Sequence, residues 1–212
     1  MGLSQKEMFL LFPSGFFTGK LPDIALCDRI EKKLRDMQTS GHGSVSNGHM
    51  RAFTTSDNLQ SLPEMKELVA LIMEESEQIL DAYKVKRASH YISNMWANIA
   101  SPNRRHLAHA HPNCLLSGLV YIRTPQGCGN TLCYLPRAFS NAIIPELLEK
   151  NELNADTFKY PVEKGRMVIW QSHMPHAVDE GIASEDEDRI VIAFNIMIRG
   201  WINLPTAKLK LA

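Results

Sequence analysis

The sequence lacks four features that would point to particular classes of protein. Its 23 lysine and arginine residues balance 23 aspartate and glutamate residues, so no excess charge attracts nucleic acid or an anionic membrane. Its four cysteines form no CxxC pair, which favours reduced and mostly buried thiols. No apolar run approaches the roughly 20 residues of a membrane span. The start lacks the basic lead and cleavage site of a signal peptide. We therefore expect a cytoplasmic protein that binds neither nucleic acid nor membrane.

The length of 212 residues favours one domain over residues 1–212. Residues 1 to about 88 are predicted to form a helical buttress, because two segments carry apolar residues at helical spacing. Asp23 can cap the first helix, and Ser61 with Glu64 makes a capping-box pattern before the second.

Beyond that part of the chain, short runs of β-branched and aromatic residues alternate with Gly, Pro and Asn, which is typical of β-strands. The five runs lie at 90–100, 115–122, 129–135, 165–170 and 189–198. We expect residues from about 89 to 200 to form a β-barrel core. Strands that follow helices in this way predict a mainly β fold with flanking helices, built around an antiparallel double-sheet barrel or jelly roll.

Histidines are concentrated just before the second of these runs, at His106, His109 and His111. Side chains at i and i+2 of a strand share a face, so His109 and His111 can converge on one metal ion. His106 is an odd number of positions from His109, so a continuous strand would turn it to the opposite face. A later turn offers His173 and His176, one of which would complete a three-nitrogen site with open positions. The alternative is that these histidines are solvated turn residues.

A buried cation is predicted at the start of the last run. Alternation places Arg189 and Asn195 on one face of an otherwise apolar strand, where an arginine needs an anionic partner. That partner is either a nearby acid such as Glu187 or the carboxylate of a small-molecule acid, held by paired hydrogen bonds.

The motifs "HAHPNCLLSGLVYI", "PHAV" and "RIVIAFN", in this order, resemble those of the iron(II)- and 2-oxoglutarate-dependent oxygenases. The resemblance is strongest to a bacterial branch with the pattern HxHPN…SGxxY…H…R…FN. It implies a double-stranded β-helix fold and an enzyme that uses Fe(II), 2-oxoglutarate and dioxygen. Such an enzyme couples oxidative decarboxylation of 2-oxoglutarate to hydroxylation of a small-molecule or peptide substrate.

The same resemblance implies roles for individual residues. His109 and His176 would be the two iron-binding histidines, and Arg189 would pair with the distal carboxylate of 2-oxoglutarate. Tyr121 would assist that arginine, and Asn98 would make a further contact with the cosubstrate.

Two features depart from the family pattern. His111 stands where most relatives have a carboxylate, so the iron is held either by three histidines or by two with His111 as a neighbour. Thirteen positions separate His176 from Arg189, more than the pattern leads one to expect.

Other interpretations stay open at this level. One is a three-histidine metal dioxygenase that needs no 2-oxoglutarate. Another is a non-catalytic jelly-roll protein that binds a small acid or holds zinc on its histidines. If His111 is not a ligand, halogenation is a further alternative. The substrate and a homodimeric state are not decided by any residue.

Overall fold

Two α-helices and twelve β-strands make up the described part of the computed structural model, which covers residues 12–45, 52–101, 103–136, 146–151, 153–183, 187–203 and 205–211. The helices are α1 (Ala25–Thr39) and α2 (Lys66–Ala82). The strands are β1 (Phe16–Lys20), β2 (Ser44–Val45), β3 (Ala52–Thr54), β4 (Ser89–Ala100), β5 (His106–His109), β6 (Leu116–Arg123), β7 (Thr131–Tyr134), β8 (Thr157–Tyr160), β9 (Arg166–Gln171), β10 (His176–Val178), β11 (Arg189–Ile202) and β12 (Leu209–Leu211). None of the helices described is long and apolar enough to cross a membrane.

The strands form two antiparallel sheets. The larger sheet has the order β1-β9-β6-β11-β4-β3-β2, with β12 paired to β11, and the smaller has the order β5-β10-β7-β8. Side chains of β4, β6 and β11 line a cavity together with side chains of β5, β7 and β10, so the two sheets face each other. The prediction of a mainly β fold with flanking helices is confirmed.

The outer face of the larger sheet carries the main core. Strand alternation turns Met95, Ile192 and Phe194 outward, where they join buried residues of both helices such as Leu34 and Ile72. Because β11 is central and buried on both faces, its sequence is an almost continuous apolar run. The helices thus cover one face of the sheet and leave the other face to the cavity. On this shared core we propose that residues 1–212 form one domain.

All five predicted strand runs are strands, but the first 88 residues contain more than helices. Strands β1, β2 and β3 also lie there; β1 pairs with β9, and β3 pairs with β2 and with the much longer β4. They are two to five residues long, too short to show a clear alternation. Strands β1 and β3 are stabilised by pairing with strands far away in the sequence, and β2 pairs with β3.

The sequence predicted the capping residue of α1 correctly but not that of α2. Asp23 Oδ1 accepts the N–H of Ala25 at 2.9 Å, as expected of a capping residue. The predicted capping box is wrong. The Ser61 hydroxyl donates to the Asn58 carbonyl, and Glu64 pairs with Lys33, because two short 3-10 turns precede α2.

Candidate metal centre

Three histidines meet in the cavity between the sheets. His109 ends β5 and pairs with His176, which begins β10, while the N–H of His111 just beyond β5 donates to the Ser172 carbonyl at 3.1 Å. The ring centroids are 4.3 Å apart for His109 and His176, 5.0 Å for His111 and His176, and 5.1 Å for His109 and His111. One ligand nitrogen from each ring lies within 4.8 Å of the other two. The three side chains are therefore close enough to share one ion.

In each of the three rings, Nδ1 donates a hydrogen bond to an oxygen. Nδ1 of His109 lies 2.8 Å from the Leu107 carbonyl, and Nδ1 of His176 lies 3.1 Å from the Met174 carbonyl. Nδ1 of His111 lies 2.8 Å from the amide oxygen of Asn195. Each oxygen accepts a hydrogen bond from Nδ1–H, so the proton of each neutral ring is on Nδ1 and Nε2 keeps its lone pair. Three such nitrogens are a donor set that fits a divalent transition metal.

The environment favours the neutral form of two of these rings, His176 and His111. Burial, followed by the neighbouring charge of His109, lowers the pKa of His176 to about 3. Burial also lowers the pKa of His111. A neutral imidazole is the form that binds metal, so metal binding at His176 and His111 would not have to compete with a bound proton.

The two remaining histidines near the cluster have different positions. His173 is exposed in the turn before β10 and is not part of the cluster. His106 lines the cavity, and its ring lies 4.2 Å from that of His109. The expectation that His106 would face away from His109 is wrong. The register of β5 and β10 is irregular: His109 pairs with His176 and His106 with Val178, so three residue positions on β5 are matched by two on β10. Such a bulge brings His106 to the same side as His109.

Arg189 is buried in the same cavity, with 7% of its surface exposed. Its Nε and Nη2 have no hydrogen-bond partner among the described residues. Oε1 of Glu187 lies 4.0 Å from Nη2 of Arg123. Glu187 is therefore not the partner of those two Arg189 nitrogens. Burial lowers the pKa of the guanidinium. A buried cation with unused N–H donors is the group that a ligand carboxylate would satisfy.

Tyr121 and Asn98 flank Arg189 differently. The guanidinium carbon of Arg189 lies 5.7 Å from the centre of the Tyr121 ring, but the Tyr121 hydroxyl bonds to Thr131 Oγ1 at 2.7 Å. Burial raises the pKa of this hydroxyl to about 12, so it stays protonated. Asn98 lines the cavity, and its Oδ1 accepts the Thr54 hydroxyl at 2.9 Å. Its amide N–H groups are the donors that a ligand could use.

The inner face of the larger sheet is ordered in rows across β4, β11 and β6. Asn98, Val191 and Tyr121 form one row, and Trp96, Ala193 and Leu119 form the next. A polar row follows, in which Asn195 pairs with Asn94 on one side and Ser117 on the other. The apolar middle row therefore separates two polar ends.

Sequence reasoning placed Asn195 on the correct face but did not find Asn94, Ser117 or Thr131. Alternation within each strand shows which residues share a face. It does not show which strands are neighbours or in what register they pair, and this pairing is what brings the polar row together.

Comparison with known proteins supports the resemblance seen in the motifs. Residues 94–195 match the family model described as "Putative 2OG-Fe(II) oxygenase". The matched segment runs from β4 to β11 and includes the histidines of the cluster and Arg189. The resemblance to iron(II)- and 2-oxoglutarate-dependent oxygenases is thereby confirmed. Among curated proteins, no sequence matches the chain.

Solved structures with a similar fold include a prolyl-4-hydroxylase from Pseudomonas putida, with a TM-score of 0.65 at 12% identity over 88% of this chain and 94% of that chain. The epimerase SnoN of nogalamycin biosynthesis, in complex with Fe3+, alpha ketoglutarate and nogalamycin RO, has a TM-score of 0.65 at 10% identity over 94% of this chain and 82% of that chain. A prolyl hydroxylase from Trichoplax adhaerens, in complex with a hypoxia inducible factor peptide fragment, has a TM-score of 0.60 at 14% identity over 87% of this chain and 84% of that chain. At these identities the likeness concerns the fold, and it confirms the predicted jelly roll.

Proposed function

We propose, from the match of residues 94–195 to this oxygenase family, that the protein is a non-haem iron oxygenase that hydroxylates an organic substrate at the expense of 2-oxoglutarate. His109, His111 and His176 would hold Fe(II), and Arg189 would bind the distal carboxylate of 2-oxoglutarate. When bound, the iron and its cosubstrate supply the oxidising chemistry, in which dioxygen is consumed and 2-oxoglutarate is converted to succinate and carbon dioxide.

One observation carries this proposal. The three histidines, whose Nε2 atoms can each offer a lone pair, line the same cavity as the buried arginine, whose Nε and Nη2 have no partner among the residues described. A site for metal alone would not require a buried guanidinium, and a site for a small acid alone would not require three converging imidazoles. Together they fit a metal with an anionic chelating ligand.

The residues of the chain would position the cosubstrate and limit the access of water. Arg189 would donate two hydrogen bonds to the distal carboxylate, and the Asn98 amide would donate to the same ligand. The protonated Tyr121 hydroxyl, bonded to Thr131, would support the arginine through its ring rather than through a free O–H. Trp96 and Leu119 contribute apolar surface to the cavity, which favours a poorly hydrated site.

The substrate class is proposed at the level that the comparisons support. The Trichoplax adhaerens enzyme was solved with a peptide, and SnoN with a small molecule. We therefore propose a small molecule or a peptide as the substrate, with dioxygen as the second one. His111 stands beside the other two histidines, which favours hydroxylation over halogenation because no ligand position is left free for halide.

The test of the proposal is whether the protein consumes 2-oxoglutarate. Anaerobic addition of 2-oxoglutarate to the Fe(II) protein should produce a visible charge-transfer band. In air, the same sample should release succinate slowly even without the primary substrate. A band without succinate would indicate non-catalytic binding of the acid. Metal binding with no response to 2-oxoglutarate would favour a dioxygenase that does not use it, or a zinc site.

A further inference from the structure

We infer that Asn195 is a positioning residue that fixes the tautomer and the ring orientation of His111 for metal binding. The inference rests on the proposed metal site and gives a role to Asn195, the last residue of the FN motif, to which the family resemblance assigns none. Asn195 lies 84 positions from His111, and its amide oxygen lies 2.8 Å from Nδ1 of that ring. No other ring of the cluster depends on a side chain in this way.

The other two histidines of the cluster differ from His111 in the kind of group that accepts their Nδ1–H. His109 and His176 each donate Nδ1–H to the carbonyl two residues earlier, at Leu107 and Met174. Those acceptors are set by the local backbone and are present whenever the strands form. His111 lies beyond the end of β5, and its acceptor is a side chain on the central strand of the larger sheet. The orientation of the His111 ring therefore depends on tertiary contacts and not on the local backbone.

The amide of Asn195 is itself held in place from both sides. Its oxygen accepts the Ser117 hydroxyl at 2.7 Å, and its Nδ2 donates to Asn94 Oδ1 at 2.8 Å. Asn195 is 5% exposed and Ser117 is 1% exposed, so the network has little access to water. With Nδ2 directed at Asn94, the amide presents oxygen, and not N–H, to His111. That leaves Nε2 of His111 with its lone pair.

The hydrogen bond to Asn195 also matters because His111 stands where most relatives have a carboxylate. A histidine in place of an acid gives the metal a neutral ligand. An amide oxygen that accepts a hydrogen bond from Nδ1–H increases the basicity of the ring, as carbonyl and carboxylate partners of metal-bound histidines do. Asn195 would thereby strengthen the third ligand without adding a charge next to the metal.

The tautomer can be measured without metal or turnover. In metal-free protein labelled with 15N-histidine, the His111 signals should show a protonated Nδ1 and an unprotonated Nε2. His111→Ala identifies these signals by their loss. A His111 ring protonated on Nε2 instead would mean that the amide of Asn195 is turned the other way, with N–H facing the ring, and would overturn the inference.

The second measurement is the affinity for Co(II), determined by competition with a chelator. Asn195→Leu removes the acceptor and should weaken Co(II) binding by about 10–100-fold, the effect typical of losing such a partner. Asn195→Asp keeps an oxygen in the same place and should retain Co(II) binding and the same His111 tautomer. Ser117→Ala is the matched control, because it removes a hydrogen bond from the same oxygen but leaves the acceptor. Circular dichroism confirms folding of each variant.

The outcomes separate this inference from the proposed function. If the wild-type protein binds Co(II) and Asn195→Leu binds it equally well, only the role of Asn195 is refuted. If Ser117→Ala weakens Co(II) binding as much as Asn195→Leu does, the network has a general structural role and the inference is again wrong. Failure of the wild-type protein to bind Co(II) would refute the proposed metal site itself.

Discussion

Substituting Arg189 by leucine should separate cosubstrate binding from metal binding. Arg189 lies in the cavity, where its Nε and Nη2 have no hydrogen-bond partner in the described part of the chain, but it is not part of the histidine cluster. We expect Arg189→Leu to bind metal like the wild type and to bind 2-oxoglutarate more weakly by about 2–5 kcal/mol, the scale for losing one member of a buried charged pair. Isothermal titration of the metal-loaded protein measures both affinities.

The control for this change is Arg123→Leu. Arg123 lies on neighbouring β6, where it pairs with Glu31 and Glu187 outside the cavity. Its replacement should leave 2-oxoglutarate affinity unchanged. Equal affinities for 2-oxoglutarate in Arg189→Leu and the wild type would remove the arginine from the cosubstrate site.

The role of His111 is tested by exchanging it for the carboxylate that most relatives have. We expect His111→Asp to bind Fe(II) and to show a shifted charge-transfer band with 2-oxoglutarate, because the ligand changes in both atom type and charge. His111→Ala should retain iron poorly and lose the band. His106→Ala and His173→Ala serve as controls and should bind Fe(II) nearly like the wild type. An unchanged band in His111→Ala would show that two histidines suffice.

For single residues, spacing along one strand predicted which side chains share a face, but it did not predict features that depend on turns, bulges or strand pairing. The His-x-His spacing predicted that His109 and His111 share a face, and the alternation of β11 predicted a buried Arg189. All three residues line the cavity. The position of His106 was wrong, because a bulge in β5 is not visible in the sequence. The choice between His173 and His176 likewise depended on a turn, which exposes the first and buries the second.

At the level of secondary-structure elements, Gly118 in β6 allows the larger sheet to pack closely. A Cβ at this position would come within 2.3 Å of Phe194 Cζ and 2.7 Å of the Val168 carbonyl oxygen. The backbone oxygen belongs to neighbouring β9 and cannot move cheaply. We expect Gly118→Ala to lower the free energy of unfolding by about 1–3 kcal/mol, the usual cost of overpacking. Urea denaturation measures this change.

Gly19 in edge strand β1 is the matched control for Gly118. A Cβ there meets no atom within 4 Å, and its backbone does not need glycine. Gly19→Ala should change the free energy of unfolding by less than about 0.5 kcal/mol. A similar loss of stability in both variants would mean that the cost comes from the strand conformation and not from the contact with Phe194.

Long elements were predicted well, because each carries enough periods of its pattern. Strands β4, β6 and β11 and helix α1 have eight to fifteen residues and were recognised from spacing alone. The strands that were missed, such as β3 and β10, have three residues. Their conformation comes from pairing with β4 and with β5 and β7, which a local pattern cannot contain.

For the whole molecule, the core shared by helices and sheet has a measurable consequence. Leu26 and Ile30 of α1 pack in the same core as Ile190 and Ile192 of β11. If this core makes one cooperative unit, helix and sheet should unfold together. The two parts can be followed separately, because both described helices lie within residues 25–82, whereas all three tryptophans lie at positions 96, 170 and 201. Circular dichroism at the helical band then reports on one part and tryptophan fluorescence on the other.

We expect the two probes to give the same thermal midpoint, which is the mark of a single transition. Binding of 2-oxoglutarate to the Co(II)-loaded protein should raise both midpoints together. At 100 times its Kd a ligand adds about 2.7 kcal/mol, which for a chain of this size corresponds to a shift of about 5–11 °C. Arg189→Leu should keep the shift caused by Co(II) and lose most of the shift caused by 2-oxoglutarate. A fluorescence midpoint that rises with 2-oxoglutarate while the helical midpoint stays constant would show that the helices are a separate unit, because binding in the cavity can stabilise only the structure that unfolds with it.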